Sequence, residues 1–229
     1  YKPNIAFYEA LGIRGLGALE ETVAHIREVA PQVVVLGDAK RGDIGSTNLH
    51  YAKALFEVWG FDAATVNGYA GGEALEPFLE YVQKGVFVWC RSSNPGAPEI
   101  QDAVVDAEKG SVPLYQWVAS RATQWNRRGN VGLVVGATFP RELGEVRGLC
   151  PDMPILVPAV GAQAGDVAAS VAAGIDGTGR NLIVSSSRSI LYASNDRSGF
   201  ADAARRAAES LRDKINRSLE EEGKGWERS

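Results

Sequence analysis

Short apolar segments alternate with amphipathic helices along almost the whole chain, and this alternation limits the folds that are open to it. Leu16, Leu19, Val23 and Ile26 recur at spacings of three and four residues, which predicts a helix ahead of the first strand. Helical periodicity recurs in the segments 49–59, 75–82, 113–128, 141–149, 166–173 and 204–219. The predicted strands are 33–36, 63–66, 86–90, 131–135, 155–157 and 182–185. Strands that are apolar throughout and separated by helices are typical of a parallel sheet covered by helices.

The last two predicted strands help to decide between two ways of closing such a sheet. A doubly wound sheet normally carries a Gly-x-Gly-x-x-Gly turn after an early strand, and no such turn follows the early strands here. In a (β/α)8 barrel, the loops after the last two strands often bind phosphate. Here one of these loops, 161–166, is rich in glycine, and the other contains Ser186, Ser187 and Arg188. The sequence therefore favours an α/β fold of the (β/α)8 TIM-barrel class.

The beginning of the chain bears on how much of that barrel is present. Residues 1–4 read as the end of a strand that runs into a helix, so the sequence contains six strands and the end of another. A closed barrel of eight strands needs one more strand unit before Tyr1, and we expect the given chain to lack it. We expect one barrel domain over residues 1–229, because no linker divides the sequence.

Charge and cysteine content argue against several classes of function. The net charge of -4 argues against a nucleic-acid partner or an anionic membrane, both of which favour a basic face. Cys90 and Cys150 lie far apart without metal-binding spacing, so we expect buried thiols, a reducing compartment and no metal site. No apolar run reaches the roughly 20 residues of a membrane span, and no signal segment opens the chain. We therefore expect a cytoplasmic protein without a membrane partner.

The strand 33–36 leads directly into three charged residues, Asp38, Lys40 and Asp43. Asp38 and Lys40 are two residues apart, so they are predicted to project to the same side of the strand, and Gly42 is expected to let the chain turn. These charges either pair with one another in a solvated loop or lie in an active site, which barrels form at the carboxyl ends of their strands.

A lysine between two carboxylates suits a particular chemistry. Neighbouring negative charge favours the protonated form of a lysine, so Lys40 is better suited to donate a proton than to act as a nucleophile. Asp38 and Asp43 would repel an anionic group placed between them. The cluster therefore suits a reaction that expels negative charge from a substrate and then protonates the carbon left behind.

Two later segments predict an anion site. The loop 161–166 leads into a helix, so its backbone amides and the positive helix end can bind an anion, with Gln163 as a further donor. Arg188 can supply a bidentate contact to the same anion. Together these features predict a phosphate site.

Three polar residues follow the strand 86–90. Ser92, Ser93 and Asn94 offer neutral donors and acceptors that suit amide-like edges of a ligand. Residues of the same types also form turns ahead of Pro95. Both interpretations stay open from the sequence.

Histidine and tryptophan residues are assigned to structure. Neither His25 nor His50 has a triad or metal-ligand neighbourhood in the sequence. The tryptophans within predicted elements are expected to be packing groups rather than stacking platforms. They are Trp59, Trp89, Trp117 and Trp125.

Six segments occur in the order found in one known family. They are 2–9, 38–47, 65–67, 136–138, 161–163 and 187–188. In these segments the chain resembles the orotidine 5'-monophosphate decarboxylase family, particularly its bacterial branch with longer chains. The Asp-x-Lys-x-x-Asp motif formed by Asp38, Lys40 and Asp43 is shared with phosphosugar decarboxylases and aldolases on the same barrel, whereas the combination of segments is specific.

The resemblance implies an activity and a set of catalytic residues. The implied reaction converts orotidine 5'-monophosphate to uridine 5'-monophosphate in de novo pyrimidine biosynthesis, without a metal or an organic cofactor. Lys2, Asp38, Lys40 and Asp43 would form an alternating charged tetrad, with Lys40 as the proton donor to C6. Asp43 would reach into the neighbouring subunit's site, with Thr47 as another cross-subunit contact, which implies a homodimer with shared active sites.

The resemblance also implies substrate-binding residues. Ser93 is similar to the residue that contacts the pyrimidine, and Gln163 and Arg188 are similar to those that hold the 5'-phosphate. The full implied set is Thr47, Ser93, Asn94, Pro158, Gly161, Gln163 and Arg188.

The chain departs from the family pattern at several positions. The family's first strand ends in an aspartate that contacts the ribose, and the given sequence has no counterpart. Ala159 and Ala164 stand where glycine is expected, and Gly68 stands where proline is expected. Two other functions stay open: a magnesium-dependent keto-sugar-phosphate decarboxylase or aldolase of the same barrel group, and a non-catalytic nucleotide-phosphate-binding barrel.

Overall fold

The structure, a computed structural model, describes residues 1–107, 110–158, 166–196 and 198–226. Its helices are α1 Ile5–Glu9, α2 Gly12–Val29, α3 Gly45–Lys53, α4 Gly72–Leu79, α5 Pro98–Gln101, α6 Leu114–Trp125, α7 Pro140–Leu149, α8 Val167–Gly174, α9 Arg188–Leu191 and α10 Phe200–Glu221. The strands are β1 Leu36–Arg41, β2 Ala63–Val66, β3 Gly85–Arg91, β4 Val104–Ala107, β5 Gly110–Pro113, β6 Val131–Val135, β7 Ile155–Val157 and β8 Leu182–Val184. A π-helical turn, Ala54–Val58, continues α3.

Most predicted elements are confirmed, with small differences in their bounds. β2, β6 and β7 coincide with the strands predicted from the sequence. The predicted face of α2 is also confirmed, since Leu19, Val23 and Ile26 are buried. The hairpin of β4 and β5 and the short helices α5 and α9 were not predicted, because such short segments show no clear apolar period.

The first strand lies later in the sequence than predicted. The apolar residues ahead of it do not pair with β2, since the Val33 amide donates to the carbonyl of Ala30 and Val34 is 56% exposed. Pairing with β2 begins at Leu36. The bounds of a strand depend on the register of its partner, which an apolar run does not specify. Asp38 and Lys40 therefore lie within β1, whereas Asp43 follows its end.

The chain divides into two compact units. The first comprises Tyr1–Trp89 and Arg121–Gly132, and the second comprises Cys90–Ser120 and Leu133–Ser229. The strands β3 and β6 each contribute residues to both units. A single barrel domain over residues 1–229 stays a prediction.

The parallel sheet of the first unit begins with residues 1–4. The amides of Leu36 and Asp38 donate to the carbonyls of Tyr1 and Pro3, at 2.8 Å each. The strand end predicted at the start of the chain is therefore confirmed, and it lies beside β1. On its other side β1 pairs in parallel with β2, and β2 pairs in parallel with β3.

β1 is bulged where it carries the charged residues. Between the paired residues Gly37 and Arg41, three residues of β1 lie opposite Thr65 alone. Within this bulge Lys40 has a φ of 48°, a left-handed conformation that residues with a side chain rarely adopt. Side chains therefore do not alternate regularly between Gly37 and Arg41. The prediction that Asp38 and Lys40 share a side because they are two residues apart on a regular strand gives the wrong reason for their contact.

Gly42 is required by a close approach and not by a turn with a special backbone angle. It is not among the residues with positive φ, but a Cβ at this position would lie 2.4 Å from the carbonyl oxygen of Asn67. The loop after β2 therefore packs directly on the Gly42 backbone. The chain leaves β1 at this glycine as expected, and the reason that glycine is needed is the close approach.

The second unit contains a parallel sheet and an antiparallel hairpin. The end of β6 pairs with β7, and β7 pairs with β8, while β4 and β5 form the hairpin. The amide of Gly136 donates to the carbonyl of Arg91 at 2.9 Å. One hydrophobic cluster connects α8 with α10. Its buried residues are Val171, Ile175 and Leu219, and the half-buried residues that pack against them are Val167, Leu182 and Ile215. Ile215 and Leu219 of α10 therefore face this cluster.

Cys90 and Cys150 are both buried and are not joined in a disulfide, as expected from the sequence. Burial raises the pKa of the Cys90 thiol above its ordinary value. Within the described ranges, no helix is long and apolar enough to cross a bilayer.

Candidate active site

The carboxyl end of β1 carries a buried carboxylate between two lysines. Asp38 is 7% exposed. The ammonium of Lys2 lies 2.6 Å from its Oδ2, and the ammonium of Lys40 lies 2.5 Å from its Oδ1. Asn4 donates a further hydrogen bond to Oδ2 at 3.3 Å. Lys2 is 14% exposed and Lys40 is 34% exposed, so Lys40 is the charge that a ligand reaches more easily.

The surroundings of Asp38 keep it ionised. Burial raises the pKa of this carboxyl, but the charges of Lys2 and Lys40 and their hydrogen bonds outweigh that effect, so the pKa lies below its ordinary value. The site therefore holds two ammonium groups against one carboxylate. This balance of charge suits an anionic ligand.

A threonine on β2 contacts the same carboxylate. The Thr65 hydroxyl donates to Oδ1 of Asp38 at 3.0 Å, and it accepts the backbone amides of Ala39 at 3.0 Å and Lys40 at 2.9 Å. The Thr65 side chain is fully buried. Each oxygen of the Asp38 carboxylate therefore accepts two hydrogen bonds from side chains.

Trp89 on β3 lies beside Lys40. The Nζ atom of Lys40 is 5.9 Å from the centroid of the Trp89 ring, within the range of a cation–π contact, and the indole is 36% exposed. Trp89 was expected to be a packing group, and in addition its ring contacts the ammonium of Lys40. Trp125 does pack, because a Cβ at Gly72 would lie 2.2 Å from its Nε1.

Sequence reasoning missed three neighbours of the charged residues, namely Asn4, Thr65 and Trp89. A signal was available for Thr65, because a hydroxyl inside an otherwise apolar strand needs a buried partner. No comparable signal marked Asn4 or Trp89, whose contacts depend on the pairing of residues 1–4 and β3 with their neighbouring strands.

Asp43 lies apart from the other three charged residues within its own chain. It is exposed, and its Oδ1 accepts the amide of Ile44 at 2.7 Å. Its carbonyl accepts a hydrogen bond from the Asn48 side chain, also at 2.7 Å. Thr47 is half-buried in the first turn of α3. The structure thus brings together Lys2, Asp38 and Lys40 without Asp43.

The loop 92–94 is held by contacts within the second unit. The carbonyl of Ser93 accepts the Thr138 hydroxyl at 2.9 Å, and the Ser92 amide donates to the Gln101 side chain at 2.9 Å. The Ser92 hydroxyl donates to the side-chain oxygen of Asn94. Asn94 therefore makes a local contact typical of a turn. A substrate contact of Ser93 or Asn94 stays a prediction.

The predicted phosphate site is described only in part. Gly161 and Gln163 lie outside the described residues. Pro158 is half-buried, and its carbonyl accepts the amide of Ala137 at 3.2 Å. Arg188 is exposed at the beginning of α9, and it has no carboxylate partner within the part of the chain that the structure describes.

The N-terminus of α8, the helix after the glycine-rich loop, is capped by the side chain of Asp166. Oδ1 of Asp166 accepts the amides of Ala168 at 2.8 Å and Ala169 at 3.4 Å. The Asp166 carboxylate therefore already binds these two amides. The amides of residues 161–165 lie outside the described residues, so the anion site at this loop stays a prediction.

Histidines do not contribute to this site. His25 and His50 are exposed on α2 and α3. Among the residues that the structure describes, no group of three or more histidine, cysteine, aspartate or glutamate side chains is placed to hold a metal ion.

Parallel strands that alternate with helices, with an aspartate held between two lysines on one of the strands, define an α/β protein with a charged site. The family model described as the Orotidine 5'-phosphate decarboxylase / HUMPS family matches residues 1–203, and the chain belongs to this family.

Individual relatives agree with this assignment. A protein of Thermomicrobium roseum named orotidine 5'-phosphate decarboxylase is 54% identical over 218 residues, which are 95% of this chain and 75% of that protein. A Ralstonia pickettii protein of the same name is 49% identical over 217 residues, 94% of this chain and 78% of that protein. The solved structure of Leishmania donovani OMP decarboxylase matches with a TM-score of 0.79 at 38% identity, covering 93% of this chain and 79% of that one. The family and the fold class predicted from the sequence are thereby confirmed.

Proposed function

We propose that this chain converts orotidine 5'-monophosphate to uridine 5'-monophosphate by decarboxylation, a step of pyrimidine biosynthesis. The observation that carries the proposal is the array in which the Asp38 carboxylate lies between the ammonium groups of Lys2 and Lys40. Relatives named orotidine 5'-phosphate decarboxylase, at 54% and 49% identity, support the choice of substrate.

The proposed reaction follows from the charges of this array. The substrate carboxylate lies near Asp38, and repulsion between the two anions favours its departure. The bond between C6 and the carboxylate carbon breaks, carbon dioxide leaves, and the electron pair stays on C6. Lys2 and Lys40 stabilise this carbanion more strongly than the ground state, because the negative charge then lies next to them. Lys40 gives a proton to C6 and regains one from water, so the reaction uses no metal ion or organic cofactor.

Groups remote from C6 position the substrate in this proposal. The binding energy of the phosphate holds the pyrimidine against the charged residues. The proposed contacts are Pro158, Gly161, Gln163 and Arg188 for the phosphate, and Ser93 and Asn94 for the pyrimidine. The exposure of Arg188 and its lack of a carboxylate partner among the described residues support this role.

We also propose a homodimer in which each subunit completes the other's site. Asp43 is exposed, and within the described residues its carboxylate accepts only the neighbouring amide of Ile44, which leaves it available to a partner subunit. Thr47 lies one helical turn further on and would accompany it. We propose a cytoplasmic location, where the thiols of Cys90 and Cys150 stay reduced.

The test is turnover of orotidine 5'-monophosphate by the purified protein, followed by ultraviolet absorbance and by chromatographic detection of uridine 5'-monophosphate. We expect turnover to persist in a chelator, whereas a magnesium-dependent enzyme acting on keto-sugar phosphates would not form this product. Lys40→Met should lower kcat by about a thousandfold, because it removes the proton donor and one positive charge.

Lys214→Met is the matched control, since Lys214 is an exposed lysine on α10 and its loss should leave kcat unchanged. Absence of product with the wild-type protein would refute the proposed function and favour the non-catalytic binding alternative. Equal turnover by Lys40→Met and the wild type would refute the role of Lys40 alone.

A further inference from the structure

The hydroxyl of Thr65 uses its full hydrogen-bonding capacity at the candidate active site. A threonine hydroxyl has one donor and two acceptor positions. Here the donor contacts Oδ1 of Asp38 at 3.0 Å, and the two acceptor positions receive the amides of Ala39 at 3.0 Å and Lys40 at 2.9 Å. One buried oxygen atom thus connects the carboxylate to the backbone that carries the neighbouring lysine.

The two amides converge on Thr65 because the strand is bulged at this point. Three residues of β1 lie opposite Thr65 between the paired residues Gly37 and Arg41. Successive backbone amides that point to one side form a concave donor site, which requires an unusual backbone angle in one of the two residues. The same bulge places Lys40 in the left-handed region, with a φ of 48°. The Thr65 oxygen fills the concavity and holds the bulge in place.

The same hydroxyl restricts the rotation of the Asp38 carboxylate. Lys2 and Asn4 bind Oδ2, whereas Lys40 and Thr65 bind Oδ1. The Lys40 side chain is flexible and one-third exposed, but Thr65 lies on β2 and is fully buried. Thr65 is therefore the rigid partner of the carboxylate. Its hydrogen bond fixes the orientation in which Oδ1 contacts Lys40 and Oδ2 contacts Lys2.

We infer that Thr65 is a positioning residue for the decarboxylation, acting through its hydroxyl to orient Asp38 and to hold Lys40 in the bulged backbone conformation. It does not contact the reacting atoms in this inference. The inference rests on the proposed function for its kinetic part, while its geometric part stands on the hydrogen bonds themselves.

The experiment compares Thr65→Val, Thr65→Ser and the wild type. Valine has the shape of threonine without its hydroxyl, and serine keeps the hydroxyl without the methyl group. Because a small misplacement of catalytic groups slows the chemical step, we expect Thr65→Val to lower kcat about 10- to 100-fold. KM should change by less than about threefold, since substrate binding does not depend on this hydroxyl. Thr65→Ser should restore most of the lost kcat.

Thr178→Val is the matched control, because the Thr178 hydroxyl also donates to an aspartate, Oδ1 of Asp176 at 2.8 Å, but in the second unit. Its kcat should equal that of the wild type. If Thr65→Val does not fold, Thr65→Ala replaces it, with the same expected loss of kcat and rescue by serine. An unchanged kcat in the folded variant, equal losses in the valine and serine variants, or a rise in KM alone would overturn the inference while leaving the proposed function intact.

Crystal structures of the wild type and Thr65→Val separate the inference from the proposed function. We expect the variant to show a rotated Asp38 carboxylate and a changed φ at Lys40. If both features are unchanged, the inference is overturned, even if the wild type does not act on orotidine 5'-monophosphate. If they change in an enzyme that lacks this activity, the geometric role of Thr65 stands and the proposed function fails.

Discussion

Lys40 combines a strained backbone with a central place in the charged array. Its φ of 48° lies in the left-handed region, which costs about 1–2 kcal/mol for a residue with a side chain. Its ammonium lies 2.5 Å from Asp38 and 5.9 Å from the centroid of the Trp89 ring. Strained conformations persist where the surroundings hold them, and they are concentrated at functional sites. The strain at Lys40 is therefore consistent with a role in the proposed reaction.

Asp38 makes the stability of the protein depend on pH. The pKa of Asp38 in the folded protein lies below the ordinary value of 3.8. The contribution of its carboxylate to the free energy of unfolding is therefore fully present above about pH 4, and it is lost as the pH falls through the folded pKa. We expect Asp38→Asn to lower the free energy of unfolding at pH 7 by about 2–4 kcal/mol, because Lys2 and Lys40 then face an uncharged amide. The difference from the wild type should shrink below pH 3, as urea unfolding at both pH values would show.

Asp152→Asn is the control for this comparison, since Asp152 is exposed in the turn before β7. Its free energy of unfolding should stay within about 0.5 kcal/mol of the wild type at both pH values. A difference between Asp38→Asn and the wild type that is equally large at pH 7 and below pH 3 would contradict the assignment of the effect to the carboxylate charge.

At the scale of elements, the bulge of β1 explains how the charged residues meet. Alternation along a regular strand predicted that Asp38 and Lys40 share a side, and their side chains are indeed in contact. The contact arises differently, because the register with β2 shifts between Gly37 and Arg41. A bulge re-aims side chains locally. The pairing of β1 and β2 therefore determines the geometry of the site.

A substitution at Gly42 tests how closely the loop after β2 packs on the backbone that follows β1. A Cβ at Gly42 would lie 2.4 Å from the carbonyl oxygen of Asn67, and backbone cannot move aside as a flexible side chain can. We expect Gly42→Ala to lower the free energy of unfolding by about 2–3 kcal/mol, and to lower kcat because the end of β1 is displaced. Chemical denaturation and the turnover assay measure the two effects.

Gly17→Ala supplies the matched control on α2. A Cβ at Gly17 would meet no atom within 4 Å, so alanine should raise the free energy of unfolding by up to about 1 kcal/mol through its better helix propensity. If the two substitutions had the same effect on stability, the close approach at Gly42 would not be the cause.

At the scale of the whole molecule, the proposed sharing of sites between subunits predicts complementation. Lys40→Ala and Asp43→Ala each inactivate a homodimer if the site takes Lys40 from one subunit and Asp43 from the other. Random exchange should restore about one quarter of wild-type activity, since half of the dimers are mixed and each mixed dimer has one intact site of two. The measurement is turnover after mixing, with subunit exchange verified by mass spectrometry.

A mixture of two batches of Lys40→Ala provides the control and should remain inactive. Absence of recovery in the mixed sample, despite verified exchange, would contradict a shared site. Full activity of the Asp43→Ala homodimer alone would show that Asp43 is not needed.

Much of the fold was accessible from the sequence because buried parallel strands are apolar throughout. The predicted bounds of the strands β2, β6 and β7 coincide with the observed ones, and the helices between strands were recognised by their periodicity. The bounds of β1 were not predicted correctly, because Val33 and Val34 are apolar like the residues of a buried strand but do not pair with β2. No residue of the strands β4 and β5 is buried, so no apolar pattern marks this hairpin.

The sequence by itself determined the family, the alternation of strands and helices, and the presence of Asp38 and Lys40 at the end of a strand, since each of these depends on local residue order. Only the tertiary structure decided that Lys2, Asn4 and Thr65 surround Asp38. These contacts join residues far apart in sequence, and they depend on strand register and on a bulge. Neither is encoded in the apolar pattern, because register is a property of two paired strands rather than of either one alone.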